Sequence, residues 1–467
     1  MELARVRTEV FIERRKRVLL ALNKNEGAPR KVALFAGLPR PMNYAANAFP
    51  FRAESHFLYL TGVHLPGAVL LGHEGNWTLY AEAQTPDDEL WHGPLPTLTQ
   101  LGEALGLGTR PLSELAEAAR GAASLPSADR GSRASQEEAI GRPLPYGALE
   151  DAADLALADA MIEVRLSHDA HAVQRMRDAA DAAREAHLRG MASTKPGIRE
   201  HVVRASMEAV LLARGHGTSY PPIVTCHGEV LHNHEHDHEL KSGDLLLADV
   251  GAETGDGWAS DVTRTWPVSG RFSATQRAVY DIVLEANEAV IQRIKPGVRW
   301  RDLHLVAARI LTKGMVGLGW LRGDPDGLVE RGAHALFFPH GLGHLIGMDV
   351  HDMEDLGDRA GYAKGRTRSA QFGLSYLRLD RDLAPGMGVT VEPGIYIIPA
   401  ILRDPRMAEL VRAHVDREAL SRFSDVRGIR IEDDVIVTET GCDVLTKAIP
   451  KRPNDVEAAI LGAISSL

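Results

Sequence analysis

The chain has 467 residues, 25% of them charged, and a formal net charge of -10, which is length enough for two domains with separate cores. The acidic balance, with no basic stretch set against it, excludes nucleic acid as a partner. No apolar run nears the roughly 18 residues of a membrane span, and the N-terminus lacks a signal-peptide apolar segment, so a cytoplasmic protein with no membrane partner is expected.

The first predicted element is a helix whose Phe11, Val18 and Leu22 pack inward, with Arg14-Arg15-Lys16-Arg17 as its solvated side. Strand-like runs follow at 32–37, 56–63, 68–72 and 77–83, with Gly, Pro and Asn between them. The last two read as a hairpin closed by His73-Glu74-Gly75-Asn76. Stretches 112–119 and 149–162 are helical by their Ala and Leu content, and 120–146 reads as loop. Residues 1–165 therefore form a mixed α/β accessory domain, with no dense cluster of catalytic residue types.

A second domain is expected over 166–467. Ser167 is the expected N-cap of a helix running to about residue 191, with Asp169 in its first turn. A further helix follows Lys195-Pro196-Gly197-Ile198-Arg199. The same phrase returns as Lys295-Pro296-Gly297-Val298-Arg299, again between helices, the earlier of them opened by the capping box Ser273-Ala274-Thr275-Gln276. The repeat implies an internal duplication, two α+β halves facing across a cleft to which each contributes. Cys226 and Cys442 make no disulfide framework and no metal-type spacing, and are expected to be reduced and structural.

The chemistry-bearing residues sit where buried strands break. Residues 245–248 form a continuous apolar run that stops at Asp249, as in a strand buried on both faces. After a Gly-rich turn at 253–257, Asp261, Thr263 and Thr265 share a face by period-2 alternation. Two carboxylates on one paired ribbon need a compensating cation. Taken alone, this segment leaves metal binding and ordinary turn carboxylates as equal alternatives. Further on, His340 and His344 bracket two glycines, in a turn that allows close backbone approach. His351-Asp352 follows. Glu392 ends an alternating strand before Pro393-Gly394, and Arg430 and Glu432 share one face of the strand from Gly428.

The segments ADVGAE…SDVTRTWPVSG, PHGLGHLIGMDVHD, VTVEPGIY and GIRIEDD closely resemble the metal-site motifs of the pita-bread metallopeptidases. The Xaa-Pro branch, aminopeptidase P and prolidase, is the most similar, and FPFRAESHFLYLTGV and DDELWHGPL resemble its N-terminal domain. The resemblance implies a C-terminal pita-bread domain and a two-metal centre held by Asp249, Asp261, His344, Glu392 and Glu432. An oxygen-rich set with one imidazole suits Mn²⁺, with Co²⁺ or Zn²⁺ as alternatives. The implied activity is hydrolysis of the Xaa-Pro bond at the N-terminus of proline-containing peptides by a two-metal-activated hydroxide. By the same resemblance Glu392 shuttles the proton, His340 and His351 hold the substrate and steady the tetrahedral intermediate, His232 helps form the proline pocket, and Arg430 is the substrate-binding arginine beside the last glutamate ligand. Trp91 would reach the active site of a neighbouring subunit in a homodimer or homotetramer; burial in its own domain is the alternative. Arg378, in GLSYLR, resembles the prolidase arginine that holds a dipeptide carboxylate. A prolidase restricted to dipeptides is thus the alternative activity, and a non-catalytic peptide-binding protein is disfavoured because all five ligands are present. The chain departs from the pattern at Asn233, where tyrosine is usual, and in the run His232, His234, His236 and His238. That run reads as a solvated loop with His232 alone in the cleft, an adventitious metal site being the alternative.

Overall fold

The computed structural model describes residues 8–24 and 27–462, and the chain divides into two units. One comprises Met1–Leu166 with Asp355–Gly357, the other Ser167–Glu354 with Asp358–Leu467. In the first, helix α1 (Thr8–Leu22) precedes strand β1 (Lys31–Phe35), which pairs antiparallel with β2 (Val69–His73). Strand β2 turns directly into β3 (Asn76–Ala81). Glu74 and Gly75 take φ of 49° and 81° there, as a two-residue type I′ hairpin requires. Strands β4 (Gly108–Pro111) and β5 (Ala123–Ser124) add in parallel, giving the order β4-β3-β2-β1-β5. Ala33, Phe35, Val69 and Leu71 build its core with Leu115, Ile140 and Leu144.

Three expectations for this unit fail, each for a physical reason. Residues 56–63 are mostly helix, α2 (Ser55–Thr61), stopped by Gly62 at φ 72°. His56 to Thr61 are all buried, so no amphipathic period distinguishes helix from strand. The stretch expected as loop contains α3 (Arg130–Ile140), capped by the Asp129 carboxylate accepting from Ser132 N. Arg14 and Arg15 are not solvated: both are buried, donating to Tyr59 O and to Leu60 O and Leu105 O. Phe11, Val18 and Leu22 do pack inward, and α4 (Ala152–Arg165) covers the helix expected near 149–162.

The second unit opens with α5 (Ala170–Ser193), whose N-cap is Asp169 rather than Ser167; the Ser167 hydroxyl donates instead to Pro385 O at 3.2 Å. Helix α6 (Glu200–Ala213) follows, then β6 (Ile223–Thr225), β7 (Leu245–Asp249) and β8 (Thr263–Pro267), an antiparallel sheet in the order β8-β7-β6. Helices α7 (Ala274–Ile291) and α8 (Trp300–Gly317) begin the other half, the first opened by the Ser273–Gln276 capping box. Its sheet joins β9 (Gly388–Val391) to β12 (Asp433–Val437) and β13 (Cys442–Val444), while β10 (Gly394–Tyr396) pairs with β11 (Gly428–Arg430). The duplication extends to single hydrogen bonds. Gly197 N donates to Leu240 O and Leu240 N to Ile198 O, both at 2.8 Å; Gly297 N donates to Leu383 O and Leu383 N to Val298 O at 2.8 and 2.9 Å. Leu246, Ala248 and Trp266 pack on Ala179, Ala186 and Met207 of the helices, and Leu247, on the opposite face of β7, packs with Ile223 and Tyr396, so β7 is buried on both faces. Both cysteines are free, and among the described residues no helix is long and apolar enough to cross a membrane.

Candidate metal centre

Asp249 closes β7 opposite Thr263, the first residue of β8, so the short return from β7 to β8 carries both Asp249 and Asp261. Glu432, between β11 and β12, donates its N–H to Thr263 O at 3.0 Å, which ties the second half to the first. Glu392 follows β9 and donates to Leu342 O at 2.8 Å, while Thr390 N donates to His344 O at 3.0 Å. These bonds zip the Gly-rich turn along β9. A Cβ on Gly343 would lie 2.1 Å from Thr390 O, so the close approach that the glycines allow is to this strand.

The five expected ligands converge. Donor atoms lie within 4.8 Å of one another in each of the sets Asp249–Asp261–Glu432, His344–Glu392–Glu432 and Asp261–His344–His351. His344 Nδ1 donates to Leu345 O at 3.0 Å, leaving Nε2 as the lone-pair nitrogen, 3.4 Å from Asp261 Oδ2 and 3.7 Å from Glu392 Oε1. A ligand histidine needs this tautomer. Arg430 is buried and its guanidinium is used by the protein: it donates to Asp249 Oδ2 at 2.6 Å, Thr263 Oγ1 at 2.9 Å and Tyr396 Oη at 3.0 Å. Tyr396 Oη is 2.8 Å from His340 Nε2, and His340 Nδ1 donates to Gly341 O at 2.8 Å. A polar chain thus runs from Asp249 through Arg430 and Tyr396 to His340.

The electrostatics of the set match its crowding. Burial raises the Glu392 carboxyl to about 8, with Asp261 and Asp249 adding to the effect and Arg430 opposing it. Burial, then Asp261, Glu392 and Asp249, push Glu432 well above the carboxylate range. Asp249 and Asp261 are also raised, first by burial. Burial holds His340 and His351 at about 3 and His344 at about 4, so all three are neutral near pH 7. Three buried carboxylates, the half-buried Glu392 and one imidazole lone pair form an oxygen-rich donor set whose charge two divalent ions would offset. These residues fit the metal pair that the motifs imply.

The centre opens into a cavity of about 660 Å³ lined by His232, His340, His351, Arg378 and Arg430, with Phe372, Tyr376, Ile398 and Ile401 on its apolar wall. Arg378 donates to Glu354, whose other oxygen is 2.5 Å from His351 Nδ1. His232 and His234 are exposed, but the solvated-loop expectation fails beyond them. His236 is buried and donates to Val224 O, and His238 contacts the buried Glu200. Trp91, on Pro86–His92, is 78% exposed, which overturns burial in its own domain. Sequence reasoning missed Tyr220, whose hydroxyl donates to Asp249 Oδ1 at 2.5 Å, and Asp434, which accepts from Asp261 N at 3.0 Å. It also gave no role to Thr263, which donates to Glu432 Oε2 at 2.7 Å, or to Tyr396. Thr263 carried a signal, since it shares the face of Asp261. Tyr220 carried none.

Comparisons with known proteins agree with this geometry. The model of metallopeptidase family M24 matches residues 174–439, and that of the aminopeptidase P N-terminal domain matches residues 11–127. The Xaa-Pro aminopeptidase of Escherichia coli (strain K12) is 32% identical over 93% of this chain and 95% of its own length. The Xaa-Pro dipeptidase of Homo sapiens is 39% identical over 60% of this chain and 56% of its own. Among solved structures, aminopeptidase PepP of Pseudomonas aeruginosa superposes with a TM-score of 0.78 at 31% identity, covering 97% of this chain and 98% of that one. Since the family model spans more than half of the chain and the bacterial relatives nearly all of it, the chain belongs to metallopeptidase family M24, with a pita-bread domain behind an aminopeptidase P N-terminal domain.

Proposed function

We propose that this protein is a metal-dependent exopeptidase that hydrolyses the bond between an N-terminal residue and a following proline, in the manner of aminopeptidase P. The observation that carries the reading is the convergence of Asp249, Asp261, His344, Glu392 and Glu432 at the floor of a cavity lined by further histidines and arginines. Two ions held there would acidify a water and polarise the scissile carbonyl; ligand hardness favours Mn²⁺, with Co²⁺ or Zn²⁺ as alternatives. The chain's own residues supply the rest. The proline nitrogen is a tertiary amide and must be protonated to leave. Glu392, whose Oε2 lies 3.8 Å from His340 Nδ1, is the group that would take a proton from the attacking water and deliver it to that nitrogen. His351 is neutral with its Nδ1 proton on Glu354, so its Nε2 accepts a hydrogen bond and orients an N–H of the peptide. Arg430 donates from each of its three nitrogens to the protein and positions Asp249 and Tyr396, while His232 borders the proline.

A dipeptidase is the second reading, favoured by Arg378 at the cavity wall, where a guanidinium suits a carboxylate. We further propose a cytoplasmic homodimer or homotetramer, on the ground that the exposed Leu90-Trp91 pair needs a partner surface. The decisive test of the metal centre is Asp261→Asn. That variant should fold, lose at least one of two bound divalent ions and lose most turnover on Ala-Pro-Ala. Wild-type stoichiometry and activity would sink the assignment.

A further inference from the structure

Outside the cleft, three soft donors meet where β6 runs into the loop that carries His232. Cys226 and His227 follow β6 directly. His238 comes from the far end of the loop, fixed against α6 by Glu200 N donating to His238 O at 3.1 Å and His201 N to His236 O at 2.9 Å. Donor atoms of Cys226, His227 and His238 lie within 4.8 Å of one another, and the two imidazole centroids are 4.3 Å apart. Ligands of a tetrahedral Zn²⁺ stand about 3.3–3.6 Å apart, given bonds of roughly 2.0–2.3 Å, so modest side-chain rotations close the set.

A supporting shell is in place. Glu200, fully buried, is 3.0 Å from His238 Nδ1 and also accepts from Cys226 N at 2.8 Å and Thr225 Oγ1 at 3.0 Å. A carboxylate on one ring nitrogen fixes the tautomer that frees the other for an ion. Glu229 stands 3.1 Å from His227 Nδ1, and its Oε2 is buried with no hydrogen-bond partner among the described residues. Two carboxylates beside the set would offset a divalent charge. Arg427 also faces His227, at 2.5 Å, and has Glu229 within 3.1 Å as the partner it would keep. Thiolate with two imidazoles selects a borderline-soft ion, Zn²⁺ before Mn²⁺.

We infer that Cys226, His227 and His238 form a third metal site, for Zn²⁺, which staples both ends of the loop that presents His232 to the cleft. The site itself stands apart from the peptidase chemistry; only its consequence for His232 rests on that reading. The carboxylate centre has no sulfur donor, and the chain has 2 cysteines. A thiolate-to-Co²⁺ charge-transfer band in the full-length, Co²⁺-loaded protein therefore reports this site alone. The band should appear in the wild type and in Cys442→Ser, vanish in Cys226→Ser, and need roughly tenfold more Co²⁺ or worse in His238→Ala. Metal analysis should find one Zn²⁺ fewer in Cys226→Ser than in the wild type, and hydrogen exchange over 227–238 should slow as the ion binds. The band should persist in Asp261→Asn, which separates failure of the carboxylate centre from failure of this site. No band at saturating Co²⁺, or a band that survives Cys226→Ser, overturns the inference. Should Cys226→Ser not fold, alkylation of wild-type Cys226 decides: Zn²⁺ should protect it, and equal labelling with and without Zn²⁺ also overturns the inference.

Discussion

Substrate class turns on Arg378 and its partner Glu354. A dipeptide presents its proline carboxylate beside the scissile bond, whereas Ala-Pro-Ala has a neutral amide there. A charge-assisted hydrogen bond from Arg378 to that carboxylate contributes about 1.5–3 kcal/mol, or roughly 12- to 150-fold at about 1.4 kcal/mol per decade. The structure argues for the low end. The two side chains are 39% and 45% exposed, so water screens the interaction, and the substrate must compete with Glu354 for the guanidinium. Arg378→Ala should therefore lower kcat/KM for Ala-Pro about tenfold and leave Ala-Pro-Ala nearly unchanged. Glu354→Gln removes the competitor, an exposed pair worth about 0.2–1 kcal/mol, and should raise the Ala-Pro to Ala-Pro-Ala ratio by roughly 1.4- to 5-fold. Because Glu354 also holds His351, absolute rates on both substrates should fall, and the ratio is the quantity to read. Initial-rate kinetics on the two peptides suffice. An unchanged ratio in both variants refutes the placement of Arg378 at the substrate carboxylate, and a wild type that ignores Ala-Pro-Ala makes the protein a dipeptidase.

Other outcomes follow from the same geometry. In the ion-free protein Glu392 is held near 8, so at pH 7 metal binding must displace its proton; calorimetry in buffers of different ionisation enthalpy should show proton release, and affinity falling as pH drops below about 8. Burial alone would raise Asp433, but Arg264 and Lys451 hold it well below the usual carboxylate value. Its stabilising contribution is therefore complete above an unfolded pKa of about 3.9 and fades as pH falls beneath it. Asp433→Asn should cost about 3–5 kcal/mol at pH 7 and flatten the acid limb of denaturant-melt stability. Trp91→Ala, at an exposed position, should alter stability by no more than about 0.5 kcal/mol while raising KM for Xaa-Pro peptides and weakening oligomers in light scattering. A monomeric wild type with full activity would rule out the role proposed for Trp91.

The fold was legible where one local force decides it. Strand β7 announced itself as an unbroken apolar run, the helix α7 by its capping box, and the two halves by a repeated Pro-Gly phrase whose backbone bonds recur in both. It was illegible where tertiary context decides. Helix α2 is buried all round and so has no period. Helix α3 is polar and betrayed only by Asp129. The buried guanidiniums of Arg14 and Arg15 are satisfied by carbonyls at least 45 residues away, and nothing near them in the sequence foretells those partners.

The candidate site divides along the same line. Its ligands could be named because the motifs that carry them resemble those of the pita-bread metallopeptidases. The strand pattern alone marked Asp249 as a carboxylate stranded at the end of an apolar run, which burial penalises unless something compensates it, and left metal binding and turn carboxylates as alternatives. The residues that orient those ligands could not be. Tyr220 reaches Asp249, Thr263 reaches Glu432 and Tyr396 joins Arg430 to His340 through packing between segments far apart in the chain. A tyrosine or threonine costs little to place almost anywhere, so its presence marks no position. The same reasoning explains the misjudged histidine run: a dense polar run reads as a solvated loop, but His236 is buried against Val224 O and His238 meets the buried carboxylate of Glu200, from the N-terminus of a neighbouring helix. A side chain's type thus discloses that chemistry is present, and the register of distant strands decides which partners tune it.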